Sequence, residues 1–254
     1  MTLDSEIKNS SLSEEAEDIM DEESEEESSE ETTDLKELQE MTEAGLFYGR
    51  KKSKTHPRMK KFVLTTRNGV EIFDLTETIK QLDKAMAFMK EVNERKGKIL
   101  AVGTQPAAKA AIKDFSESFN FPYVANKWVG GVLTNFGIVR KRVDKFSKLK
   151  ADKESGRLAK YNKKEMSKIN REMEKMDFLF SGIEKMEAMP EAILIFNPKV
   201  HMTALREAKK MKIPVVAVLN SDSDPKIIDY PIAANDNAEK SIKFVLEKIK
   251  ENIK

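Results

Sequence analysis

The sequence predicts an α/β fold: a three-layer, mostly parallel sheet with helices on both faces (flavodoxin/Rossmann-like), carrying a protruding antiparallel coiled-coil hairpin. Three observations predict it. Short continuous apolar runs at 98–102, 123–125, 192–196 and 215–219 have the length and composition of strands buried on both sides. Amphipathic segments of helical period separate them, as in βαβ units. Two further stripes, Phe136/Val139/Val143/Phe146 and Met166/Ile169/Met173/Met176/Phe180, recur at steps of three and four with no strand between them.

The elements follow in chain order. Residues 10–33 are almost entirely Ser, Glu, Asp and Thr. So few apolar groups cannot offset the entropy of ordering, so 1–33 is expected to be a disordered acidic tail, with 34–254 forming the α/β domain. Asp34, with Glu37 three residues on, reads as the start of a short helix over 35–43 that stops at Gly45. Segments 62–66 and 70–73 flank Asn68-Gly69, the turn chemistry of a β-hairpin. Ile79, Leu82, Ala85, Met86 and Met89 mark one face of a helix over about 76–95, ended by Gly97. A helix over 107–119 follows Gly103-Thr104, and further helices are expected at 202–211 and 237–253. The two heptad-type stripes lie on either side of the polar, turn-prone run 152–157. They read as a helical hairpin inserted over about 131–181; the alternative is that both helices simply pack on the sheet.

Charge is distributed unevenly. The chain holds 45 Lys and Arg against 44 Asp and Glu, a formal net charge of +1. Through Glu43 there are 18 acidic and 2 basic residues, a charge of −16; the remainder holds 43 basic against 26 acidic, or +17. An acidic tail on a basic body points to a polyanion partner for the body. The densest basic run is 50–61, where Arg50, Lys51, Lys52, Lys54, Arg58, Lys60 and Lys61 surround His56 with no acid between them. Seven like charges repel one another unless a polyanion neutralises them, although a merely solvated loop would show the same residues. Arg140-Lys141-Arg142, near the base of the expected hairpin, forms a second cluster. Just before it, Lys127-Trp128-Val129-Gly130-Gly131 leads through Asn135, with Trp128 either a core residue or a stacking platform.

Other chemistries are poorly served. There is no cysteine, so disulfides and thiolate chemistry are excluded. His56 and His201 lie far apart and share no ligand spacing, and no metal or cofactor is expected. No apolar run approaches the roughly 20 residues of a membrane helix. The N-terminus lacks a basic segment followed by an apolar one, so a soluble, intracellular protein is expected. Gly103-Thr104 stands where nucleotide-binding folds place a phosphate loop, yet 102–108 contains neither G-x-G-x-x-G nor a P-loop. The run 220–225, with Asp229, could mimic a carboxylate metal site but reads better as turns and caps. A nucleotide- or sugar-phosphate-binding enzyme using the loops near Gly103 and Asn220 is the competing function; no nucleophile or general base supports it.

The motifs together resemble a known family. Residues 44–49 (AGLFYG), 56–60 (HPRMK), Arg67-Asn68-Gly69, 72–75 (IFDL), 102–104 (VGT), 128–136 (WVGGVLTNF), 213–217 (IPVVA), Asp224-Pro225 and 228–232 (IDYPI) occur in the order found in the bacterial small-subunit ribosomal protein S2 family. The resemblance covers about 34–254. It implies a non-catalytic structural constituent of the small ribosomal subunit. Such a protein would sit between head and body in the cytoplasm, in contact with small-subunit rRNA and neighbouring ribosomal proteins, with no membrane or small-molecule partner. On the basic patches it implies rRNA-binding roles for Arg50, Lys51, Lys52, Lys54, His56, Arg58, Lys60, Lys61, Arg67, Lys127, Asn135, Arg140, Lys141 and Arg142. The chain departs from the usual family residues at Phe47 and Arg50 (histidines), Asn220 (Asp) and Ala234 (Gly), and typical members lack the acidic stretch.

Overall fold

The computed structural model of the chain describes residues 35–160 and 162–253. The stretch expected to be disordered, 1–33, lies outside the described residues. Two compact units divide between Glu43 and Ala44, where the charge of the sequence changes sign. In the first unit, residues 35–43 form helix α1.

The second unit opens with a three-stranded antiparallel sheet. Strand β1 (Tyr48–Lys51) leads through two 3-10 turns, Lys52–Lys54 and Pro57–Phe62, into β2 (Val63–Arg67) and β3 (Val70–Phe73). The sheet order is β1-β3-β2. β2 and β3 are the expected hairpin: Asn68 (φ 51°) and Gly69 (φ 74°) supply the two left-handed positions such a turn needs. Strand β1 gives no period-2 signal because Gly49 interrupts it. That glycine is required by close approach, since a Cβ there would lie 2.8 Å from the Glu71 carbonyl oxygen on β3.

The main sheet contains β4 (Ile99–Val102), β5 (Tyr123–Val124), β6 (Ala192–Phe196), β7 (Val215–Leu219) and β8 (Tyr230–Ala233), all parallel. Their order is β5-β4-β6-β7-β8, the arrangement of flavodoxin-like sheets. β8 escaped the sequence pattern because Pro231 interrupts a short run. The proline is tolerated because β8 is an edge strand.

Every residue of β4, β6 and β7 is buried, which explains their unbroken apolar sequences. On one face Leu100, Val102, Ile193, Ile195, Val215 and Ala217 share a core with Ala204, Leu205 and Ala208 of α6 (Met202–Lys210). Helices α2 (Leu75–Glu94), α3 (Pro106–Phe119) and α7 (Glu239–Ile253) pack on one another and on β8 and β4, and contribute nothing to that core. They cover the other face. The helix bounds lie within two residues of those expected from the sequence.

The β5–β6 connection holds two helices, α4 (Phe136–Glu154) and α5 (Lys163–Phe180). Val139, Val143 and Phe146 of α4 and Phe180 of α5 enter the sheet core, while Met166, Ile169, Met173 and Met176 are half-buried along one side of α5. Lys145 and Glu172 join the two helices at 2.6 Å. Asn162 starts α5 with a reciprocal capping box to Glu165, which satisfies two backbone donors of its first turn.

All five parallel strands run toward one edge. The loops that leave it begin at residues 103, 125, 197, 220 and 234.

Candidate nucleic-acid interface

The basic segment is seated on that edge, over the ends of β7 and β8. Met59 and Phe62 are buried against Phe73, Leu219 and Ala233. The backbone N–H of His56 donates to the Ser221 carbonyl at 2.8 Å, and that of Arg50 donates to the Ser221 hydroxyl at 2.8 Å. The Arg50 guanidinium reaches Asp236, which is fully buried, at 2.9 Å, and approaches Asp222 at 3.8 Å. Arg58 pairs with Asp224 at 2.6 Å. The segment carries no acid of its own, but the fold brings it three from the loops after β7 and β8. Arg50 and Arg58 are therefore partly used in seating the segment.

The other cations point elsewhere. Lys51, Lys52, Lys54, Lys60, Lys61 and Arg67 are exposed and form no ion pair among the described residues. Lys61 rests over the Phe62 ring at 4.4 Å. His56 is half-buried, and its Nδ1 accepts from the Arg58 N–H at 3.3 Å. Glu71 is buried beneath the segment, where Thr55 and Thr66 donate to its carboxylate at 3.2 and 2.7 Å.

The second cluster divides in the same way. Arg140 donates to the carbonyls of Glu184 and Met186 at 2.9 and 3.1 Å and pairs with Asp144 at 2.9 Å. It fastens α4 to the segment after α5. Lys141 and Arg142 stand exposed without ion pairs among the described residues. Lys127 and Asn135 are exposed at the two ends of the tryptophan loop.

That loop is organised by Glu207, a residue that no local motif singles out. The Glu207 carboxylate accepts from Trp128 Nε1 (3.0 Å), from the N–H groups of Gly131 (2.9 Å), Leu133 (3.1 Å) and Thr134 (3.2 Å), and from the Thr134 hydroxyl (3.1 Å). Burial alone would raise its pKa; the converging donors outweigh that and hold it below the ordinary glutamate value. The glycine pair thus forms an anion cradle, and a side chain of α6 fills it. Trp128 is half-buried: part of the ring packs against the core and part lines a cleft beside Thr104 and Lys127.

The loop after β4 is closed in the same manner. The Thr104 N–H donates to His201 Nε2 at 3.1 Å, and His201 Nδ1 lies 3.0 Å from the Asn197 carbonyl. With Nε2 accepting, the proton resides on Nδ1. Burial lowers the pKa of His201, more than the Asn197 carbonyl bond raises it. An imidazole occupies the helix N-terminus where a nucleotide fold would hold phosphate. In the loop after β7, Asp224 caps a 3-10 turn through the Lys226 N–H at 3.0 Å, and Asp222 pairs with Lys199 at 2.8 Å. No group of three or more metal-ligating side chains occurs among the described residues.

Asp236 is the other residue without a sequence signal. Oδ1 accepts from Arg50 and, at 3.2 Å, from Asn220 Nδ2, whereas Oδ2 is buried without a partner. Burial raises its pKa to about 6 in spite of the nearby guanidinium. Only the three-dimensional pairing of β7 with β8 makes these residues neighbours.

Comparison with known proteins adds a consistent picture. The family model for Ribosomal protein S2 matches residues 41–254. A curated relative, the small ribosomal subunit protein uS2 of Coprothermobacter proteolyticus, is 38% identical over 216 residues, covering 85% of this chain and 81% of the relative.

Proposed function

The chain belongs to the ribosomal protein S2 family, structural constituents of the small ribosomal subunit and not enzymes, and from that premise we propose that it binds small-subunit rRNA through its basic segment. The carrying observation is the set of exposed cations without ion pairs, Lys51, Lys52, Lys54, Lys60, Lys61 and Arg67, on a segment fixed to the sheet by Arg50, His56 and Met59. Fixed cations neutralise phosphates and release counterions, and they track RNA shape more than base sequence. In this reading Arg50 and Arg140 position the contact surfaces, and Lys127, Asn135, Lys141 and Arg142 extend the contact toward α4. The protein sits between the head and body of the small subunit, in the cytoplasm, beside other small-subunit proteins. Helices α4 and α5 form a coiled-coil hairpin that projects from the sheet domain and carries the second basic cluster.

Replacing Lys51, Lys52 and Lys54 together with Gln is expected to lower the salt dependence of rRNA binding by about two to three phosphate equivalents. Binding titrations across a series of salt concentrations measure this, and an unchanged slope would remove the segment from the interface. The enzyme alternative is set aside by the family, and its two loops are occupied by His201 and by the Arg50–Asp236 pair.

A further inference from the structure

Between the ends of β4 and β6 the connections leave in opposite directions, and a cleft of roughly 360 Å³ opens there, lined by Thr104, Lys127, Trp128, Val200 and Thr203 among others. In open α/β sheets this crevice is the usual ligand position. Here its phosphate corner is taken, because the Thr104 amide is already donated to His201. A free nucleotide therefore finds no backbone cradle.

What the cleft still offers is a mixed lining in which one indole and one valine stand beside one cation. Trp128 is held in place by its Nε1 bond to Glu207 (3.0 Å), so the indole cannot turn away. Val200 is 59% exposed and presents its methyl groups to the cleft. Lys127 is exposed without an ion pair among the described residues, and the exposed Thr203 makes no hydrogen bond among them. An indole plus an aliphatic surface suits a planar ring. The single lysine suits one phosphodiester rather than a triphosphate.

We propose that this cleft receives one unpaired nucleobase of the bound RNA, stacked on Trp128, with the adjoining phosphate at Lys127. The proposal rests on the rRNA-binding reading and specifies its ligand: single-stranded RNA at this site, duplex elsewhere.

Trp128 is the sole tryptophan of the chain, so its emission reports on the cleft alone. The full chain is titrated with a short labelled oligoadenylate and, separately, with an RNA duplex of equal length. Anisotropy of the label follows binding, and tryptophan emission follows the cleft. Both RNAs should bind, and only the single strand should quench Trp128. Val200→Glu should remove the quenching and weaken single-strand binding by roughly 5- to 150-fold, the range for loss of one stacked base. Its preference for single strand over duplex should disappear with it. Circular dichroism of the variant checks its fold, and Thr203→Glu, at an exposed position, repeats the test. Single-strand binding with unchanged emission would overturn the cleft assignment and leave rRNA binding standing. Equal quenching by the duplex or by AMP would also overturn it. Failure of both RNAs to bind would overturn the two readings together.

Discussion

Two carboxylates with opposite shifts make residue-scale predictions of opposite sign. Glu207 is held below its ordinary pKa by its donors. Its stabilising effect is therefore present above the ordinary glutamate range and is lost as pH falls through the folded value. Glu207→Gln leaves one acceptor oxygen where two stood and turns an NH2 group toward backbone donors. It should cost about 2–3 kcal/mol at neutral pH in urea denaturation and should flatten the acid limb of stability. Asp236 behaves in reverse. With a pKa of about 6 against an ordinary 3.8, the folded protein holds the proton more tightly. Its contribution to stability is fully present below about pH 4 and is lost as pH rises through about 6, an effect on the order of 3 kcal/mol. Asp236→Asn should remove that decline, and denaturation at several pH values between 4 and 7 would show it. A decline of equal size in the variant would assign the pH dependence to other groups.

At the scale of elements, β1 depends on one absent side chain. Gly49→Ala places a methyl group against the Glu71 backbone, and neither strand can yield without losing its pairing. A loss of about 1–3 kcal/mol is expected, with faster hydrogen exchange at the amides shared by β1 and β3. An unaffected variant would mean that the two strands separate more readily than the close contact implies. The same element shows what could be read in advance. Strands β6 and β7 were legible to the residue because burial on both faces leaves an unbroken apolar run. The β2–β3 turn was legible because Asn-Gly has a conformational reason to be there. β1 and β8 were not, since a close-approach glycine and an edge proline satisfy tertiary demands that a local pattern cannot express. The candidate interface divides likewise. The basic segment announced itself by charge density, whereas Glu207 is a single acid whose partners lie 73 or more residues away, and the charged partner of Asp236 lies 186 away.

At the scale of the whole molecule the charges belong to two populations. Those on the body are net positive and supply the proposed RNA contact; those before Ala44 have the opposite sign and nearly equal size, −16 against +17. Like charges repel over about 8–10 Å at physiological salt, so the acidic stretch should oppose every weakly held RNA and hardly affect one bound by many contacts. Removing residues 1–33 is expected to raise affinity for non-cognate RNA at low salt while changing cognate affinity less. Filter-binding assays with both RNAs would measure the ratio, and an unchanged ratio would make the stretch electrostatically idle.

The Arg50–Asp236 pair has a consequence in time. The two residues are separated by 186 positions, so during synthesis the basic segment emerges long before its seat exists. Until β7 and β8 have been translated, Arg50 has no acid to meet and Met59 no pocket to enter. The proposed RNA-binding surface is thus among the last parts of the domain to take shape, although it is among the first to be made. A nascent chain halted before β8 would carry its cations loose, able to attract RNA but not to hold it in register.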